Sequence, residues 1–154
     1  MRRSDKEIKD REAIDIIINK AEVCRIGFAK DNISYIVPLS FGYDGEHIYF
    51  HSATKGRKID FIESNNFVCF ELEDSVKIAR NKNNPCKWSF DFKSVIGYGL
   101  IEEIKDRDKK IKALDNIMLH YVNEKQNFDY NNISLIRVWR IKIKSLTGKK
   151  SKEN

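Results

Sequence analysis

The chain has 154 residues, 41% hydrophobic and 34% charged, and its 29 Lys and Arg against 23 Asp and Glu leave a net charge of +6. That length makes one ordinary domain with a real core, and the charged fraction is that of a soluble globular protein. No apolar run approaches the roughly 20 residues needed to cross a bilayer, and the N-terminal MRRSDKEIKD lacks the apolar stretch of a secretory signal, so a cytoplasmic location without membrane attachment is expected.

The positive excess gathers at Arg2, Arg3 and the tail residues Lys149, Lys150 and Lys152, and charged ends of this kind are usually solvated. Aromatic residues do not interleave with basic ones as on a base-stacking platform, so no nucleic-acid partner is expected. Cys24, Cys69 and Cys86 form no CxxC pair, which argues against a zinc site or a dithiol redox motif. Cys24 and Cys69 lie in strand-like runs, EVCRIGF and FVCFELE, where a buried, inert thiol is the usual role.

Ser4 and Glu7 have the spacing of a capping box, and Ile14, Ile17, Ile18 and Ala21 share one helical face, which predicts a helix from about Asp5 to Ala21. A strand follows from Val23 through CRIGFA, and Asp31-Asn32 can make the tight turn of a hairpin. The next segment, ISYIVPLSFGYD, alternates with period two: Tyr35, Val37, Leu39, Phe41 and Tyr43 point one way. Asp44-Gly45 is a second hairpin turn, and HIYFHSA returns as a strand. Beyond Thr54-Lys55-Gly56, RKIDFIES reads as a short helix with Ile59 and Ile62 inward, ended by Asn65-Asn66. FVCFELE is a further strand, and residues 75–86 read as a loop.

A long strand or bent strand pair runs from Lys87 to about Ile104. Trp88, Phe90, Phe92, Ser94, Ile96, Tyr98 and Leu100 share one of its faces; Gly97 and Gly99 lie on the other. Asp106 can cap a third helix with an apolar stripe of Ile111, Leu114, Ile117, Met118 and Tyr121. A polar loop over residues 123–132 leads to the last strand, SLIRVWRIKIKSL. The sum is one β-rich domain over residues 1–149 with a short basic tail, residues 150–154, and three helices packed outside a sheet, most simply a closed six-stranded barrel.

Two local features bear on a bound ligand. HSATKGRK brings Ser52, Thr54, Lys55, Arg57 and Lys58 to a strand–helix junction, where free N–H groups and the helix dipole favour an anion; a solvated basic face is the plainer reading. Pro38 interrupts a strand that otherwise reads as central, so it marks either an edge strand or backbone groups left for a ligand. His47 and His51, four apart on a strand, stand about 13 Å from each other, too far to share one metal, and none is expected.

YIVPLSFGYDGEHIYFHSATKGRKIDFIESNNFVCFE followed by CKWSFDFKSVIGYGLIEEI resembles the Nim-type nitroimidazole-resistance proteins of the pyridoxamine 5'-phosphate oxidase-like superfamily, as do the IMLHY helix and the terminal SLTGK. The resemblance implies a mainly β, six-stranded split barrel and a homodimer with FMN at the subunit interface. It places Ile36, Val37, Pro38, Leu39, Ser40 and Phe41 along the isoalloxazine, with Phe50, His51 and Ser52 flanking it. Arg57 and Lys58 match the pair that holds the FMN phosphate; Trp88, Lys93, Ser94 and Val95 would reach the flavin from the partner, with Lys149 as a weaker contact. His51 is the candidate catalytic residue, because imidazole suits proton transfer near neutral pH. The implied activity is an NAD(P)H-linked flavin reductase with a small nitro-aromatic or other acceptor; the alternative is a non-catalytic flavin- or haem-binding protein. No C-terminal arginine motif for a vitamin phosphate is evident.

Overall fold

The computed structural model describes residues 4–122 and 128–151, so part of the predicted loop at 123–132 lies outside the described residues. Eight strands alternate with three helices: β1 (Glu7–Ile8), α1 (Arg11–Lys20), β2 (Cys24–Lys30), β3 (Ile33–Leu39), β4 (Gly42–Tyr43), β5 (His47–Ala53), α2 (Arg57–Ser64), β6 (Phe67–Ala79), β7 (Ser89–Ile104), α3 (Arg107–Tyr121) and β8 (Ile136–Lys150). Six of the strands are long. With the short β4 they form one antiparallel sheet in the order β3-β2-β6-β7-β8-β5-β4, and β1 adds to β8.

The sheet coils without closing. Strands β3 and β4 stand at the two ends of its path, so the barrel is split rather than sealed as the simplest sequence reading had it. The main core fills its interior: Ile26, Phe28, Ile48, Phe50, Phe70, Leu72, Val95 and Ile141 meet Ile14, Ile17 and Ile18 of α1 and Ile59, Phe61 and Ile62 of α2. A second cluster packs Ala113, Leu114 and Ile117 of α3 onto the opposite face, against Val138, Tyr49 and Ile104.

Local chemistry explains most of these elements. Asp31 and Asn32 adopt positive φ, 49° and 62°, as a two-residue hairpin turn requires. Tyr35, Val37, Leu39 and Tyr43 all pack on the main core, and Phe41 lies within it, as their alternation predicted. Asp106 caps α3 by accepting from the Lys109 N–H at 2.9 Å. Helix α1 starts later than the Ser4–Glu7 spacing suggested: Asp10 is its cap, accepting from Ala13 N at 3.0 Å. Residues Ser4–Lys6 make a 3-10 turn and Glu7–Ile8 pair with Lys149 and Gly148. Strand pairing overrides the capping signal because Gly148 gives room: a Cβ there would stand 2.8 Å from that of Ile8.

Residues 75–86 are not all loop. After a bulge, where Ser75 takes φ 59°, β6 resumes and Lys77–Ala79 pair with Asp91–Ser89 of β7. On β7 the glycine face is the interior one. A Cβ at Gly97 would fall 2.2 Å from the Phe70 ring, so the large ring of one strand occupies the space that the other leaves empty. Ile96 and Tyr98 consequently face out, each more than two-fifths exposed. Cys24 is fully buried and its thiol is pushed up by burial; Cys69 is only half-buried, on the outer face, and Cys86 is exposed.

Candidate functional site

The split in the sheet has two lips. One is β3, hydrogen-bonded to β2 on one side only; the other is β5 beyond Tyr49, where the short β4 has ended. Backbone groups along these edges have no strand partner on the open side among the described residues. Pro38 thus sits on an edge strand, which is where its missing N–H is tolerated. Ile36, Pro38 and Ser40 are exposed, whereas Val37 and Leu39 turn inward.

Helix α2 follows β5 and bridges the opening. Gly56, at φ 128°, precedes it and contributes no side-chain cap; its carbonyl accepts the Ile59 and Asp60 N–H groups at 2.8 and 3.3 Å, which leaves the Arg57 and Lys58 N–H groups of the first turn for an outside acceptor. The Arg57 guanidinium lies 4.8 Å from the Tyr35 ring centroid on β3, while Lys58 Nζ lies 5.9 Å from the Phe50 ring on β5. Two consecutive cations therefore bracket the gap, one reaching each lip. Partial burial pushes the Lys58 ammonium below its ordinary value. His51 is next: desolvation first, and then the Lys58 charge, hold its imidazole below the usual histidine range.

Ser52 has a structural partner. Its Oγ accepts the Trp139 indole N–H at 2.9 Å and donates to the Ala53 carbonyl at 2.8 Å, in a site only 7% exposed. Phe50 is wholly buried and stacks on Trp139. Neither side chain is displayed at the surface, so any contact they make with a ligand is through backbone or packing.

The remaining candidates lie elsewhere in the protomer. Ala53 pairs with Ile136 at the start of β8, whereas Ser94 pairs with Lys149 near its end. Thirteen residues of strand separate the two pairs, roughly 40 Å at about 3.3 Å per residue before curvature. Lys93 is exposed, Val95 is buried, and the Lys149 ammonium lies 5.7 Å from the Phe92 ring. Trp88 is exposed and donates its indole N–H to the Asn81 carbonyl at 2.7 Å. No hydrogen bond, ion pair or ring contact joins these candidates to Arg57 or Lys58 among the described residues.

Sequence reasoning missed the groups that brace the lips. Arg137 donates to both Glu103 oxygens, at 3.0 and 2.7 Å, and to Glu63 of α2 at 2.9 Å, tying that helix to β7 and β8. Tyr121 Oη accepts the Phe41 N–H at 3.0 Å and donates to the Glu22 carbonyl at 2.9 Å; the His120 ring packs tilted against Phe41, centroids 4.1 Å apart. These contacts span 34 to 80 or more residues of sequence, and no local pattern announces them. No group of His, Cys, Asp and Glu suited to a metal occurs among the described residues. No described helix is long and apolar enough to cross a membrane.

The fold and this site define a split-barrel protein with two consecutive cations and a helix start at the mouth of the split. The family model for pyridoxamine 5'-phosphate oxidase matches residues 10–150, and the chain belongs to that family. A candidate 5-nitroimidazole antibiotic resistance protein from Bacteroides thetaiotaomicron is 31% identical, with a TM-score of 0.81 over 93% of this chain and 85% of that one. The flavocytochrome Anf3 from Azotobacter vinelandii shares the fold at 18% identity, TM-score 0.84, over 99% of this chain and 72% of that one. A FAD-binding protein from Mesorhizobium loti does so at 21% identity, TM-score 0.70, over 96% and 98%. No curated protein gives a significant match.

Proposed function

We propose that the protein is a homodimeric FMN flavoprotein and an NAD(P)H-linked reductase of the nitroimidazole-resistance type. The observation that carries this reading is the pair of cations astride the split. Arg57 and Lys58 sit at an uncapped helix start between two open β edges, which suits a phosphate tail with a flat, hydrogen-bonding ring beside it. Similarity to the Bacteroides protein supports the nitroimidazole-resistance part of the reading. The names of more distant neighbours include FAD and haem binding as well, so a non-catalytic flavin or haem carrier is the second reading.

The dimer rests on two features. The candidate contacts fall in two sets, against opposite ends of β8, and a two-fold partner would supply the second set to each site. The outer sheet face also carries an apolar depression of about 590 Å³ lined by Gly27, Ile36, Phe67, Cys69 and Tyr98, which a second copy would cover.

In this scheme Arg57 and Lys58 hold the phosphate, and the exposed edge at Ile36–Ser40 orients the ring through backbone groups. Bound there, flavin supplies electron and hydride transfer between a nicotinamide donor and a nitro-aromatic or other acceptor. His51, its pKa lowered by burial and then by the Lys58 charge, stands beside this edge, where its imidazole would position substrate through a hydrogen bond or donate a proton to it.

Purified protein should take up FMN with its visible bands, and NADH or NADPH should bleach them anaerobically. Arg57→Ala with Lys58→Ala should weaken FMN retention at least tenfold while leaving the apo-protein folded, since both side chains lie at the surface or only half-buried. Colourless protein that takes up no flavin would overturn the reading; a Soret band would move it to haem.

A further inference from the structure

A second basic cavity lies away from the split. It encloses about 580 Å³ and is lined on one side by Lys9, Arg11 and Ile14, on another by the turn Gly45–His47, and on its floor by Lys142–Leu146 of β8. We infer that this cavity binds a phosphorylated small molecule, with its polyanionic end among Lys9, Arg11, Lys142 and Lys144.

Charge is the first argument. Four cations converge on the cavity against one lining carboxylate, Glu46. Lys9, Lys142 and Lys144 make no salt bridge among the described residues; Lys142 also acts on the Glu102 carboxylate, but Arg140 already pairs that group at 2.6 Å, so much of the lysines' mutual repulsion remains. Asp15 and Asp44 stand nearby but are engaged, Asp15 with Arg11 and Tyr43, Asp44 with the turn backbone, His47 and Tyr49. A monoanion would answer only part of the excess. A di- or polyphosphate matches it, and lysine point charges suit that chemistry.

Shape is the second. The walls are locked before any ligand arrives: Arg11 is fixed by Asp15 at 2.9 Å, by the Tyr43 hydroxyl at 2.9 Å and by the Gly45 carbonyl. Asp44 clamps the turn by accepting from Glu46 N at 2.9 Å and His47 N at 2.7 Å. On the floor the register between β7 and β8 shifts at Gly99, leaving Lys144 unpaired in a bulge. Ile14, Ile143 and Leu146 line the cavity as well, an apolar surface for the ligand's non-phosphate part. The volume falls within the range of small-molecule sites.

Pyrophosphate is the probe, titrated calorimetrically into protein saturated with FMN so that the split is already filled. Wild type should bind it, and Lys142→Glu with Lys144→Glu should weaken binding at least tenfold. Lys109→Glu with Lys112→Glu, the same charge change on α3, should cost less than threefold. Arg57→Ala with Lys58→Ala should bind pyrophosphate normally, which separates this site from the flavin proposal. Should the double reversal fail to fold, Lys144→Gln alone, at an exposed bulge, should still weaken binding severalfold. No binding by wild type, or equal loss in both charge-reversed pairs, would overturn the inference.

Discussion

Replacing Ser52 by alanine removes one oxygen from a buried site whose partners are all known. In the folded protein that oxygen accepts the Trp139 indole N–H, and Trp139 is 3% exposed. Alanine leaves the N–H without a partner in a packed interior, between the Phe50 ring and the Arg137 guanidinium 4.4 Å above the indole. Stranding a neutral donor in this way costs about 2 kcal/mol, which for a domain of this size lowers Tm by roughly 4–8 °C. Scanning calorimetry of the apo-protein gives the number. A cycle with Trp139→Phe isolates the cause, because once the indole N–H is gone the second change should cost much less. Apo Ser52→Ala melting with the parent, or strictly additive losses in the cycle, would refute the assignment. Flavin affinity measured on the same variants then tells whether Ser52 also acts at the ligand.

Gly42→Ala should destabilise by about 1–3 kcal/mol, because the new Cβ would lie 2.3 Å from Asn116 Oδ1 and 2.6 Å from the Ile117 backbone nitrogen, forcing α3 off β4; chemical denaturation checks it. The lowered His51 pKa predicts a slope in stability with pH. The unfolded chain takes up the proton first as pH falls, so stability drops through the ordinary histidine range and levels off below the folded pKa. His51→Gln should remove that component from a series of urea midpoints. Ile36→Asp places a charge on the apolar outer face, where Ile36 is 66% exposed, and light scattering should show the proposed dimer giving way to monomer without loss of secondary structure.

Much of the architecture could be read from short-range chemistry. Asp31-Asn32, Asp44-Gly45 and Asp106 act within three residues of themselves, and each occupies the turn or cap that its side chain favours. Arg57 likewise opens α2 where the strand–helix junction predicted it. The failures are long-range. Ser4 and Glu7 had a valid helix signal, but the pairing partner that overrode it, Lys149, lies at the far end of the sequence. Alternation on β7 separated two faces without saying which was interior, because the inner face holds glycines whose space Phe70 fills. At the site, the basic pair was visible as a word in the sequence. That Arg57 reaches β3 and Lys58 reaches β5 depends on where the sheet parts, which no spacing encodes.

The position of β8 in the sheet order has a consequence for how this molecule is made. Every other strand emerges from the ribosome before it, yet it lies between β7 and β5 and also receives β1. The β2-β3-β6-β7 portion can assemble early, whereas β5 has no long partner until synthesis reaches Ile136. A nascent or prematurely terminated chain therefore exposes two unsatisfied edges at once, a state prone to self-association. Chaperone dependence during translation, and insolubility of fragments ending before Ile136, follow from the placement of that one strand.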